Sequence, residues 1–471
     1  MYYLKRIFIV CLVVGIAALS SCKMNDEVGF SQGEMRFSND TISVDTLFAE
    51  RASKVYTLKV YNPSERNLLL HQVKLIGGEA SPFHINVDGG NGNEFQDISI
   101  LPKDSLFIFI RANFVASKGS KPILKEDGIQ FMSDAGSAKV VLQGWNQNIQ
   151  SMPTFENRVT RLNSDMPYLI RNQVSVPLGK ELVIPEDVRL YFDLNTGIDV
   201  EGCLKIEGSS SHLVKLYSSN VDTNYISVPN QWEGIHFKST SVDNKISWCE
   251  VGNAKSGFIF DENSSAMIDH AVSKNMTWAG IHAKNATLDV RNSLIADVRY
   301  YAVLLEGGGS YTFDFCTVAN YKSYGFNGFR TDPSLVITDQ LDAESDLGGV
   351  DFEHIVWTNS VIDGPFMNEV EIRSSPSGKA SVRFEHCLLQ TNFKLLGLEN
   401  EQISGSVVSD RKTFEDTSEP NYHLSEGSLA RGLGKYQVPN ILVDLDGIVR
   451  GQNGIYDVGC YRWMAPPKKE D

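Results

Sequence analysis

Through the middle of the chain a small residue is followed by an apolar one, a variable one and a second apolar or small one. Gly234-Ile-His-Phe, Gly257-Phe-Ile-Phe, Gly280-Ile-His-Ala, Ala302-Val-Leu-Leu and Gly325-Phe stand 23, 23, 22 and 23 residues apart. A period of that size marks a solenoid, propeller or array. Alternation with period two is a strand signal. It predicts that Ile235, Phe258, Ile281, Val303 and Phe326 face inward, with Phe237, Phe260, Ala283 and Leu305 beside them.

Each coil carries a second β-rich run: Ile246-Ser-Trp-Cys-Glu-Val, Ile268-Asp-His-Ala-Val, Val290-Arg-Asn-Ser-Leu and Phe313-Asp-Phe-Cys-Thr-Val. No segment of helical period separates the runs. Two or three short strands in so short a coil leave no room for a helix, which points to a parallel β-helix rather than a leucine-rich horseshoe. Cys249, His270, Asn292, Cys316, Asn359 and Cys387 recur two places before the last apolar residue of the second run. That column predicts an inward turn ladder, its Asn side chains hydrogen-bonding along the axis.

These repeats resemble the right-handed parallel β-helix superfamily, which includes polysaccharide lyases, glycosidases and many non-enzymatic surface proteins. The resemblance covers residues 168–463 and implies a fold, not a reaction. Inserts near 327–351 and 364–379 are expected as loops on one face, and 464–471 as a tail. The stretch Asp444-Leu-Asp446-Gly447-Ile-Val-Arg450 with Asp457 resembles a closing motif of surface β-helix proteins. Asp446 and Asp457 are expected to pair with Arg450 and close the last coil.

Before the solenoid, runs such as Val55-Tyr-Thr-Leu-Lys-Val-Tyr and Ser105-Leu-Phe-Ile-Phe-Ile-Arg alternate and are broken by Asn-Pro, Gly-Gly and Pro-Lys turns. They predict a β-sandwich over 35–148. The turn Tyr61-Asn62-Pro63, the turn Leu101-Pro102-Lys103 and the closing Leu142-Gln-Gly resemble Ig-like domains of the abnormal-spindle and choice-of-anchor type, which implies a spacer or interaction module. The fold class expected is therefore all-β: an N-terminal Ig-like β-sandwich, a linker over 149–167, and a right-handed parallel β-helix.

Residues 1–21 read as a targeting segment. Lys5 and Arg6 precede an apolar run from Ile7 to Ala18 that is too short to span a membrane comfortably. Leu19-Ser20-Ser21-Cys22 resembles the bacterial lipobox, which implies a lipidated Cys22 and a tether over 22–34. Lys23 after the Cys implies the outer membrane, and Asp26-Glu27 resembles the surface-export signal of Bacteroidota lipoproteins. The expected partner is thus a membrane, through a lipid anchor, at the cell surface; the periplasmic side is the alternative.

The formal charge of −15 comes with no Lys/Arg cluster, which argues against nucleic acid. No C-x-x-C motif or close His/Cys cluster occurs, so neither a metal nor a cofactor is expected. Cys249 and Cys316 would lie three coils apart, out of disulfide reach, and are read as reduced core residues.

The outward place of the repeat holds His236, Ile259, His282 and Leu304, and aromatic residues stand just before the small residue. Trp232, His236, Trp278, His282, Tyr300, Tyr301, Glu306 and Tyr324 form the candidate ligand stripe. Sugars bind such surfaces, because apolar ring faces pack on Trp and Tyr while hydroxyls need polar partners. The other reading of the stripe is a seam beneath a packed loop. The polygalacturonase-like motifs Asn-Thr-Asp, Asp-Asp, Gly-His-Gly and Arg-x-Lys do not occur, and no catalytic residue can be named; His270 beside Asp269 reads either as a base or as a core histidine. Three functions stay open: a binding or adhesion lipoprotein for a glycan or a surface protein, a polysaccharide lyase or glycoside hydrolase, and a structural envelope component.

Overall fold

The computed structural model describes residues 30–32, 35–134, 136–222, 225–322, 330, 332–340, 352–373, 381–418, 421–435, 443–451 and 454–465. Cys22, Tyr324 and Phe326 lie outside these residues. The chain divides into two compact units, one ending at Asn148 and the other beginning at Ile149.

The first unit is a pair of sheets. One holds strands Phe30–Gln32, Met35–Phe37, Tyr56–Tyr61, Ser105–Ala112, Phe83–Val87 and Gly90–Gly92, and the other Thr41–Phe48, Gly136–Gln147, Ile123–Ser133, Leu68–Leu75 and Glu94–Ile100. Alternation does what it predicts: in Ser105–Ala112 every second side chain is buried. Leu58, Val60, Ile108 and Ile110 meet Val73, Phe131, Val140 and Leu142 in one core. The Asn-Pro turn is fixed by Asn62, whose buried Nδ2 donates to Ile100 O and Leu101 O, both at 3.0 Å.

The second unit is a parallel β-helix. One face is a parallel sheet of strands Val174–Val176, Gly197–Val200, Gly234–Phe237, Ser256–Phe260, Ala279–Lys284, Tyr301–Glu306, Leu335–Thr338 and Val370–Arg373. Ile235, Phe258, Ile281 and Val303 stack in register, all buried. The small column has a steric cause. A Cβ on Gly234 would stand 1.9 Å from Ser256 O of the next coil, and its φ of +106° is one that L side chains rarely adopt.

The fifth member of the repeat is not Phe326. Leu335 stands beside Val303, and Ile337 beside Leu305. The coil here is longer than its neighbours, 335 − 303 = 32 residues from Val303 to Leu335, so counting by 23 stops short of the strand. Ser334 takes the small place, and Glu369 takes it one coil later, immediately before Val370. The two regions expected as inserts, 327–351 and 364–379, therefore each carry a strand of the solenoid. Residues 149–167 are likewise more than a linker: Val159–Arg161 pairs in parallel with Glu181–Pro185.

The expected ladder is two columns, not one. Trp248, His270, Asn292, Phe315, Asn359 and His386 form a one-residue corner in the left-handed region, at φ of 50, 54, 43, 51, 47 and 54°. The next residues, Cys249, Ala271, Ser293, Cys316, Ser360 and Cys387, are buried. Serine hydroxyls cap this second column, as Ala271 N donates to Ser293 Oγ and Cys316 N to Ser360 Oγ, each at 3.1 Å. The two columns merge in sequence because the runs ending in Val272, Leu294 and Val361 close on an outward apolar residue rather than an inward one. The inward ones are their successors Ser273, Ile295 and Ile362. The described cysteines are free, and burial pushes the Cys387 and Cys460 thiols up to about 12.

The misread apolar residues have a partner of their own. The C-terminal segment folds back across the outer face of these coils. Phe414, Tyr422, Leu424, Val458 and Cys460 bury Leu294, Ala296, Ala319, Val361 and Leu388. Polar contacts run along the corner column: Lys435 N donates to Asn359 Oδ1 at 2.8 Å, and Val443 O and Leu433 O lie 3.3 Å from ring nitrogens of His270 and His386. Arg450 does not pair with the carboxylates of Asp446 and Asp457. Its Nη2 donates to Asn292 Oδ1 and Gly459 O, both at 2.8 Å, and its guanidinium lies 4.4 Å from the centre of the Phe315 ring. Asp446 binds His423 instead, and the Asp457 carboxylate accepts from Gly432 N and Trp463 N. The motif thus docks a segment on the side of the solenoid rather than closing its last coil.

Candidate functional site

The candidate stripe separates into three parts. Trp232 leaves it: the side chain is 1% exposed, stacks on Phe192 at 4.0 Å, and donates from Nε1 to Gly252 O at 2.8 Å. An indole gains more from the core than from the surface when its N–H finds a backbone acceptor there. Tyr324 lies outside the described residues.

Trp278, Tyr300 and Tyr301 do come together. They stand at one corner of successive coils, with the Trp278 ring 5.6 Å from Tyr300 and 5.5 Å from Tyr301. Trp278 remains 39% exposed. Polar groups border the trio: Tyr301 Oη donates to Asp332 Oδ1 at 3.2 Å, and the Arg299 guanidinium lies 5.6 Å from the Tyr300 ring.

The histidines form the third part. Asp199, His236, Ile259, His282, Leu304 and Val336 share the outward column. His236 Nε2 lies 2.8 Å from Asp261 Oδ1, and His282 Nε2 lies 2.6 Å from Glu306 Oε2; in each case the acid is on the next coil. A lysine occupies the same place in both units. Lys238 Nζ is 2.8 Å from His236 Nδ1, and Lys284 Nζ is 3.9 Å from Glu306. The column does not stay open along its length, since Leu304 and Val336 are buried.

His270 is not an inward base. It occupies the left-handed corner, stacks on Trp248 at 3.9 Å, and sets Nε2 against Val443 O. Asp269 Oδ1 is 2.8 Å from Nδ1 but off the hydrogen-bonding direction, so Nδ1 makes no hydrogen bond.

The sequence reading missed a cleft of about 480 Å³ where the C-terminal segment meets the outer face of strands Asn244–Gly252, Ser265–Met276 and Leu294–Val298. Val272, Leu294 and Ala296 lie in it, with Glu250, Lys274, Asn275, Asp297 and Lys322 from the coils and Tyr422, Asp446 and Tyr461 from the segment. Lys274 pairs with Glu250, and Tyr422 Oη donates to Asp297 Oδ1. Lys322 Nζ donates to Asn275 Oδ1 at 2.6 Å and to Ser227 O at 3.0 Å. Burial pushes the Asp297 carboxyl up and the Lys322 amine down, each opposed by the charge of the other. Burial also works to raise Glu250, but Lys274, with Tyr217 and Lys215, outweighs it and holds the carboxyl below its usual range. Residues more than 150 positions apart form this cleft, and only the outward apolar Val272 and Leu294 signalled it in the sequence.

No protein-family model matches this sequence, and no curated protein does. Among solved structures the chain is similar to PapD-like domain 7 of human CEP192, at 11% identity over 28% of this chain and 96% of that one, with a TM-score of 0.18. A protein of unknown function from Porphyromonas gingivalis W83 is 13% identical over 28% of this chain and 60% of its own, at 0.19. A family 123 glycoside hydrolase from Clostridium perfringens is 11% identical over 23% of each chain, at 0.17. At such scores these likenesses carry no argument about what the chain does.

Proposed function

We propose that the chain is a lipid-anchored protein of a bacterial outer membrane, displayed at the cell surface, whose β-helix is a rigid platform for binding a glycan. The observation that carries this reading is the aromatic corner of Trp278, Tyr300 and Tyr301. An exposed indole flanked by two tyrosines, with Asp332 and Arg299 at its border, offers an apolar face for a sugar ring and polar partners for its hydroxyls. The lipobox-like Leu19-Ser20-Ser21-Cys22 supports the anchor, and Lys23 with Asp26-Glu27 supports its destination.

A glycan-array screen on soluble protein starting after Cys22 tests the reading, with reducing-end and unsaturated-product assays on every hit. Binding without product, lost in Trp278→Ala, is the expected result. A second reading, a carbohydrate-active enzyme, draws on the pairs His236–Asp261 and His282–Glu306, since a histidine held by a carboxylate is suited to general base chemistry. Product formation that is lost in His282→Gln would replace the binding reading with this one.

A further inference from the structure

We infer that the cleft between the coils and the C-terminal segment is a second binding site, for a single neutral sugar ring, and that it does not depend on the aromatic corner. The volume of about 480 Å³ suits one or two small rings. Val272 supplies an apolar floor, edged by the nearly buried Leu294 and Ala296, and Tyr461 supplies an aromatic wall. Around them, donors and acceptors come in pairs: Lys274 with Glu250, Lys322 with Asn275, Tyr422 with Asp297.

The pairing selects the ligand class. An apolar ligand would take water from the Lys274–Glu250 pair and from Lys322, Asp297 and Asp446 and offer them no hydrogen bond in return. An anion would face Glu250, Asp297 and Asp446, and a cation would face Lys274 and Lys322. A pyranose has an apolar face, and each hydroxyl both donates and accepts. Because Tyr422, Asp446 and Tyr461 come from the segment, binding also holds the segment down.

The test is saturation-transfer NMR on the full chain in detergent, with the methyl glycosides of glucose, galactose, mannose and N-acetylglucosamine as probes and methyl glucuronide as the anionic comparison. Transfer to at least one neutral probe is expected, with a raised Tm on its addition. Ala296→Phe fills the cleft and Lys274→Met removes one donor. Both are made in a Trp278→Ala background, so that the aromatic corner contributes no signal, and each weakens that probe at least tenfold. Two variants are used because overpacking at Ala296 carries its own cost. No transfer from any neutral probe, a preference for the glucuronide, or transfer that survives both cleft variants overturns the proposal. A signal already lost in Trp278→Ala with the cleft intact places binding at the corner alone, which overturns this inference and leaves the platform reading standing.

Discussion

Arg450 reaches back 158 residues to Asn292 and gives that corner side chain two of its guanidinium N–H groups, at 2.8 and 3.1 Å. Arg450 is 7% exposed, and the same Nη2 also serves Gly459 O. Arg450→Met removes the donors but keeps much of the stem. It leaves buried acceptors without partners, at a cost of about 1–3 kcal/mol each. The expected outcome is faster proteolytic cleavage between residues 410 and 463, with the coils still resistant. Unchanged cleavage would show that apolar burial alone docks the segment.

The left-handed corner makes a separate prediction at the same place. Asn292→Gly and Asn292→Ala both lose the acceptor for Arg450, but only Ala is strained at φ +43°. Glycine pays back part of that gain in the unfolded chain. The glycine variant should therefore be the more stable of the two by about 0.5–1 kcal/mol, read as a shift in the urea midpoint. Equal midpoints would mean that the corner tolerates a Cβ without strain.

The period of 23 made the solenoid legible, because stacked backbones exclude a Cβ at Gly234 and Gly257 and leave a periodic trace. What misled was any outward residue that a distant segment covers. Val272 and Leu294 are apolar because Leu445, Tyr461 and Tyr422 lie near them, and nothing local distinguishes that burial from core burial. Trp232 was misplaced for the converse reason: its indole points inward from a position whose equivalent one coil later, Lys255, is solvent-facing. The aromatic corner was legible because Trp278 and Tyr300 are neighbours at one coil step. The cleft was not, because its walls are joined only by the return of the chain.

Glu369 stands where other coils place glycine, and it is fully buried. Arg330 makes that possible: Nη2 reaches Oε1 at 2.6 Å and Nη1 reaches Oε2 at 2.8 Å, with Ser334 Oγ and Phe366 N completing the carboxylate. Breaking such a pair from one side strands a charge, so Arg330→Met should cost about 3–5 kcal/mol. Arg330→Met with Glu369→Gln should recover a substantial part of it, since neither charge is then left alone. A double-mutant cycle by urea denaturation measures the coupling. Additive effects would mean that the carboxylate finds its stabilisation elsewhere.

His423 gives the C-terminal segment a pH dependence whose sign follows from its contacts. Nε2 lies 2.8 Å from Asp446 Oδ2, and Nδ1 lies 2.7 Å from Asn421 Oδ1, so both ring nitrogens face oxygen acceptors. Only the imidazolium donates from both. The hydrogen bond to Asp446 accordingly raises the pKa above its ordinary 6.5, with burial opposing and the charges of Asp446, Glu415 and Asp444 adding to the rise. The folded state binds this proton more tightly than the unfolded one. The contribution is therefore complete below pH 6.5 and fades as pH climbs through the raised value. The pair is more than a third exposed, so the effect is under about 1 kcal/mol. Asp297 also has a raised pKa, but its window starts from an ordinary value of 3.8 and so opens in more acidic solution. Comparing wild type with His423→Gln isolates the histidine. The difference in Tm, or in cleavage rate within the segment, should be clear at about pH 6 and shrink toward about pH 9. A difference that grows with pH would mean that the neutral ring, stacked on Tyr461 at 4.1 Å, is the form that holds the segment.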